Sequence, residues 1–347
     1  MDWIRGETIG RGSFATVNLA ILRNNSTKFS SPTAVKSSEV STSSLLKNEK
    51  QILDYIGSCP RIIRCFGDDY SFENGSEYYN LFLEYASGGS LYDQLKLHGG
   101  TFSETVVRRC TRSIIEGLIH IHQNGFVHCD IKLQNILVFN GGDIKIADFG
   151  LSKKTGEKQS KTYTGTPMFM SPESVNDNEY ESPSDIWALG CAVVEMVTGK
   201  PAWSIKNWSN IWLLFARIAV GEELPEIPDS LSEEGKDFLA KCFVKDARKR
   251  WTAEMLLKHP FVVDCSVVLE CVNEKTSSPR SQFDFPDWNS NTTASVMGSF
   301  ELREGNELNY DSFCVCNFYS PVDRLREIVT NHGPVNWSDS DGWICVR

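Results

Sequence analysis

No apolar run in this 347-residue chain approaches the ~18 residues that a membrane-spanning helix needs, so no membrane role is expected. The first residues, Met1-Asp2-Trp3-Ile4-Arg5-Gly6, show no basic segment followed by an apolar one, and secretion is not expected. Excess positive charge is missing too. Lys and Arg number 35 against 45 Asp and Glu, the net charge is −10 and the pI is near 5.2. That balance argues against nucleic acid as a partner. The 11 cysteines contain no Cys-x-x-Cys pair, which removes the common zinc frameworks. They read as reduced thiols of a cytoplasmic and/or nuclear protein. A G-x-x-x-x-G-K-[ST] loop and any solenoid repeat are also lacking.

What is present is an ordinary globular balance, 41% hydrophobic and 23% charged. The texture changes after about residue 261. Residues 1–261 hold 29 basic and 32 acidic residues, whereas the remainder holds 6 and 13. Residues 273–312 are dominated by Ser, Asn, Asp, Glu, Thr and Pro, and the segment 262–347 reads as a mostly disordered acidic tail. Within it, Ser320-Pro321 precedes an apolar stripe of Val322, Leu325, Ile328 and Val329, which predicts a short helix over 321–330. This helix and the isolated Trp288, Trp337 and Trp343 either dock, on the preceding domain or on a partner that regulates it, or belong to a solubilising tail.

The first 261 residues divide again. Residues 3–84 read as strands around one helix. Val17, Leu19 and Ile21 alternate with Thr16, Asn18 and Ala20 at the period of a strand. From residue 90 the pattern is helical, with periodic stretches at 103–124, 183–198, 232–243 and 252–259. The expected class is α+β: a small β-rich lobe joined to a larger helical one.

Gly10-Arg11-Gly12-Ser13 forms a glycine-rich turn that leads into the alternating strand rather than a helix. A turn of this kind lets backbone N–H groups approach phosphate without a Cβ in the way. Lys36 follows Ala34-Val35 at the end of the next strand. Leu45, Glu49, Ile52 and Leu53 share one helical face, which puts Glu49 on an apolar stripe where a lone carboxylate is costly. A Lys36–Glu49 ion pair resolves both oddities.

Further on, His128-Cys129-Asp130-Ile131-Lys132-Leu133-Gln134-Asn135 joins a helix to a short strand, and Asp148-Phe149-Gly150 closes a second strand. Asp148 and Asn135 supply the oxygen ligands that suit Mg²⁺ bound to phosphates. Asp130 can orient an attacking hydroxyl and accept its proton, while Lys132 can neutralise the transferring group. Taken singly, each acid is more simply a helix cap or a turn former. Taken as an ordered set, they resemble the eukaryotic Ser/Thr protein kinases over residues 3–261.

That resemblance implies a bilobal protein kinase fold: an N-lobe about 3–84, a hinge at 84–88 and a C-lobe about 89–261. It implies ATP and Mg²⁺ as cofactors. Ile9, Val17, Ala34 and Leu137 would enclose the purine, Glu84 and Ala86 would meet it at the hinge, and Leu83 would stand as gatekeeper. Glu173 would pair with Arg250, Asp185 would brace the catalytic loop, and Thr166 would contact Asp130 and Lys132. Gly165-Thr166-Pro167-Met168-Phe169-Met170-Ser171-Pro172-Glu173, together with the chain's two ends, is similar to the short plant mitogen-activated protein kinase kinase kinases of the MEKK-like subgroup. MAP kinase kinases are then the implied protein substrates, in stress or abscisic-acid signalling. The alternatives are a Ser/Thr kinase outside that cascade or a pseudokinase scaffold.

Two departures stand out. Ala15 replaces the third glycine of the usual loop. Cys129 replaces the arginine that normally receives an activation-loop phosphate, and a thiol cannot make a charged bidentate contact. Activation-loop phosphorylation is therefore expected to be less strictly required. Ser160, Thr162 and Thr164 are the candidate phosphosites in a segment expected to be exposed.

Overall fold

The computed structural model describes residues 3–12, 14–22, 32–157, 163–203, 211–221 and 223–263. The expected helix at 321–330, the tail, Ser13, Ser160 and Thr162 lie outside them. Five antiparallel strands open the chain: β1 (Trp3–Arg11), β2 (Thr16–Leu22), β3 (Thr33–Glu39), β4 (Cys65–Glu73) and β5 (Ser76–Glu84), in the order β1-β2-β3-β5-β4. Helix α1 (Ser44–Ile56) packs against β3, β4 and β5. Its buried stripe is Leu46, Glu49, Ile52, Leu53 and Ile56. Leu45 is only half-buried, so the helix is turned slightly from the face the sequence pattern gives.

Alternation along β3 sends Ala34 and Lys36 to the face that looks into the cleft. Val35 goes the other way and packs with Trp3 and Phe82, whose rings meet edge to face. Beside that cluster a polar row crosses the sheet. Arg5 on β1 donates to Ser37 of β3, Asn80 of β5 and Glu73 of β4, at 2.7, 2.9 and 2.9 Å. These bonds tie β1, β3, β4 and β5 together in one register.

The second lobe is helical: α2 (Leu91–Leu97), α3 (Glu104–Gln123), α4 (Pro172–Asn176), α5 (Ser182–Thr198), α6 (Ile211–Ala219), α7 (Glu233–Cys242), α8 (Ala253–Leu257) and α9 (Pro260–Val263). The caps explain several starts. Ser90 and Asp93 exchange backbone and side-chain bonds at α2, and Ser232 and Thr252 cap α7 and α8 through the N–H groups of Gly235 and Met255. Thirteen consecutive residues of α5, from 184 to 196, are buried, as befits a helix apolar on every side. Gly190 is needed there: a Cβ would meet the Phe243 ring at 2.8 Å.

Two small ribbons lie between the lobes' main bodies. Strand β6 (Phe126–Val127) pairs with β9 (Lys153–Lys154), and β7 (Ile136–Val138) pairs with β8 (Ile144–Ile146). The turn joining β7 and β8 is made by Asn140-Gly141-Gly142, with both glycines at positive φ. The loop between β6 and β7, the residues after β8 and the face of β3 open onto one cleft.

Candidate active site

Lys36 of β3 donates to Glu49 of α1 at 2.7 Å, as the sequence pattern predicts, and also to Asp148 at 2.8 Å. Glu49 is 0% exposed and further accepts from the Phe149 backbone N–H at 3.3 Å. Burial opposes the Lys36 ammonium, but the carboxylates of Asp148 and Glu49 outweigh it and raise the pKa. Burial likewise opposes the Asp148 anion, and Lys36 overcomes it and pulls its pKa to about 2. The cleft thus favours an ionised acid beside a charged ammonium. Asp148 adopts φ +67°, a left-handed conformation that a non-glycine residue keeps only when its surroundings dictate it.

The catalytic loop is built as a closed set of bonds. Asn135 donates its amide to the Asp130 carbonyl at 2.8 Å and to its Oδ2 at 2.9 Å. Lys132 Nζ lies 2.8 Å from the same Oδ2. The other carboxylate oxygen accepts the Thr166 N–H at 3.0 Å and its hydroxyl at 2.7 Å, and Lys132 also donates to that hydroxyl at 2.9 Å. Thr166 therefore does contact both Asp130 and Lys132. Gly165, at φ +99°, brings this segment so close that a Cβ would stand 2.3 Å from the Cys129 carbonyl oxygen.

Asp185 of α5 supports the loop from behind. Its carboxylate accepts the backbone N–H groups of His128 and Cys129, at 2.9 and 3.0 Å. It also bonds His122 at 2.9 Å. His128 itself is a buried strut between the Asp130 N–H and the Ala147 carbonyl. Glu173 and Arg250 form the expected bidentate pair, at 2.6 and 3.0 Å.

Ile9, Val17, Ala34, Leu83 and Leu137 line the cleft, with Glu84, Tyr85 and Ala86 at its rear. Glu84 meets the cleft at the hinge, while its carboxylate is taken by Lys145 at 2.7 and 2.6 Å. Of the glycine-rich turn, Gly12 lines the cleft. Gly10 and Arg11 do not: they pair with Val17 and Thr16 inside the β1–β2 ladder, and Arg11 faces solvent. Phe14 and Ala15, at the tip, take that place. Gly150 also lines the cleft, and Phe149 behind it is fully buried against His128. One expectation is corrected. Thr164 is 7% exposed, and its N–H is donated to the Tyr180 hydroxyl, so in this arrangement its own hydroxyl is not presented to another kinase.

The donor set fits a divalent cation held against phosphates. Asn135 spends its NH₂ on Asp130, which leaves an amide oxygen, and Asp148 adds a carboxylate that is 48% exposed toward the cleft. These two residues would hold the cation, which when bound neutralises phosphate charge. Chemically, the arrangement can set Lys36 against phosphate, Asp130 to receive a hydroxyl proton and Lys132 to offset charge at a transferring group, since all three line the one cleft.

Such a cleft, with ammonium, acids and amide converging on one nucleotide-sized space, defines a protein kinase. The protein kinase domain family model matches residues 3–262, and the chain belongs to that family. It is 49% identical to mitogen-activated protein kinase kinase kinase 20 of Arabidopsis thaliana, over 100% of both chains. Kinases 18 and 17 of the same series and organism are 41% and 38% identical over 100% of this chain, and over 99% and 93% of their own lengths. The chain is a Ser/Thr protein kinase of the MAP kinase kinase kinase type.

Proposed function

We propose that this kinase phosphorylates activation-loop Ser and Thr residues of MAP kinase kinases, using ATP with Mg²⁺, in stress or abscisic-acid signalling. The observation that carries the reading is the end-to-end similarity to Arabidopsis mitogen-activated protein kinase kinase kinase 20, which continues through the residues after the catalytic domain. Magnesium is favoured by an all-oxygen donor pair, Asn135 and Asp148, next to a phosphate-binding lysine. Asp130, Lys132, Asn135 and Lys36 are the catalytic residues in this reading. Ser160 and Thr162 stay the candidate acceptors of a regulatory phosphate, the tail is a binding site for regulators, and the protein acts in the cytoplasm and/or nucleus.

The test uses the full chain with ATP, Mg²⁺ and a set of MAP kinase kinases disabled at their own phosphate-binding lysine, with modified residues mapped by mass spectrometry. Labelling of their activation-loop Ser or Thr supports the proposal. Untouched activation loops, with a generic protein substrate labelled in parallel, point instead to a Ser/Thr kinase outside the cascade.

A further inference from the structure

Next to the catalytic loop, outside the nucleotide cleft, lies a small pocket lined by Cys129, Thr164, Thr166, Tyr180 and Asp185 among others. A phosphate entering it would meet the Asp185 carboxylate, and no lysine, arginine or histidine is among the described residues of its lining. The Cys129 thiol turns back toward the Val127 carbonyl, at 3.5 Å. Burial pushes that thiol well above its ordinary pKa, so it is a packed neutral group.

The position is nonetheless spanned. Tyr180 is 3% exposed, and its hydroxyl accepts the Thr164 N–H at 2.7 Å. Two residues later, Thr166 makes the bonds that fix Asp130 and Lys132. On the ring's face sits Lys153, its Nζ 4.1 Å from the centroid. That nitrogen is buried and has no hydrogen-bond partner among the described residues; burial pulls its pKa down, and the Tyr180 ring face offsets part of that cost. Lys153 lies in β9, whose partner β6 runs into His128 and Cys129. The circuit from β6 through β9, Tyr180 and Thr164 to Thr166 runs over backbone pairing, one ring-capped cation and one neutral hydrogen bond, and ends on the bonds of Thr166 to the Asp130 carboxylate.

We propose that Tyr180 and Lys153 are positioning residues of the catalytic loop, which clamp residues 164–166 against Asp130 so that phosphoryl transfer needs no phosphate on the activation segment. The proposal rests on the kinase assignment, which the untreated protein checks separately by transferring phosphate in the same assay.

The experiment takes the full chain, treats it with a phosphoprotein phosphatase, confirms the mass of the unmodified polypeptide, and measures initial rates on casein. Treated wild type is expected to keep most of its kcat. Tyr180→Phe loses one buried acceptor, for which about a five-fold fall in kcat is expected, with KM for ATP changed by less than about two-fold. Lys153→Met is expected to cost about five-fold as well, and Lys153→Arg, which keeps a cation over the ring, to restore the rate. Background activity of the treated wild type overturns the proposal. So does wild-type kcat in both Tyr180→Phe and Lys153→Met, or a failure of Lys153→Arg to exceed Lys153→Met.

Discussion

Replacing Asp185 by Asn changes neither size nor shape, yet it should disable the catalytic loop. The carboxylate is 1% exposed and serves three donors: the His128 N–H, the Cys129 N–H and His122. A hydrogen bond to a charged acceptor contributes about 1.5–3 kcal/mol. An amide keeps one oxygen and turns an NH₂ toward a buried N–H, so one of the two backbone bonds is lost outright. Cys129 sits at φ +67°, a conformation that costs roughly 1–2 kcal/mol in a non-glycine residue. The lost bond and the strain it opposed are of the same size, so the loop should relax out of register. A deficit of about 2 kcal/mol corresponds to roughly a 30-fold fall in kcat. The same deficit should lower the melting temperature by about 4–8 °C in a domain of this size. Steady-state phosphoryl transfer and a thermal melt on Asp185→Asn check both numbers. His122→Ala is the control, since it leaves both backbone bonds in place. A variant that folds normally and keeps wild-type kcat would refute the idea that Asp185 sets the loop.

Two further outcomes concern a buried acid of α5 and the candidate cation ligand Asp148. Glu195 of α5 is buried, its Oε2 finds no hydrogen-bond partner among the described residues, and burial pushes its carboxyl up to about 8. The folded state therefore holds a proton that the unfolded chain releases from its ordinary value of 4.5 upward, so stability should fall as pH rises from about 4.5 to 8, by at most about 1.4 kcal/mol per unit. Thermal melts of Glu195→Gln should show this slope removed, and an unchanged slope would contradict it. Asp148→Asn removes the ionised ligand while keeping a polar side chain. Phosphoryl transfer should drop by about a thousand-fold, whereas fluorescence titration should still show nucleotide entering the cleft.

Much of the site was legible because chemistry restricts which residues can serve it. An acid on an apolar helical stripe needs a cation, and Glu49 has Lys36. The Glu173–Arg250 pair, the Asp185 brace and the Thr166 contacts were legible only through the family resemblance, not from the chemistry of the residues taken alone. What escaped were contacts between residues with no mutual periodicity. Tyr180 and Lys153 stand 27 positions apart and meet only because β9 and the segment before α5 are both folded under the catalytic loop. His122 is four residues before a strand and gives no hint of Asp185. Helix α2 did carry a signal, the Ser90–Asp93 capping box, which went unused. The burial of Thr164 was invisible because a polar, lysine-rich neighbourhood reads as solvent-facing until Tyr180 is seen to cover it.

Because Asp185 belongs to a helix buried through thirteen consecutive residues, the amide protons of His128 and Cys129 are tethered to the innermost part of the larger lobe. They should exchange with deuterium as slowly as those of α5 itself, although they belong to a loop. The loop that carries Asp130 is thus expected to be as rigid as the scaffold's centre. Warming the enzyme should loosen substrate-facing segments long before it blurs the position of Asp130.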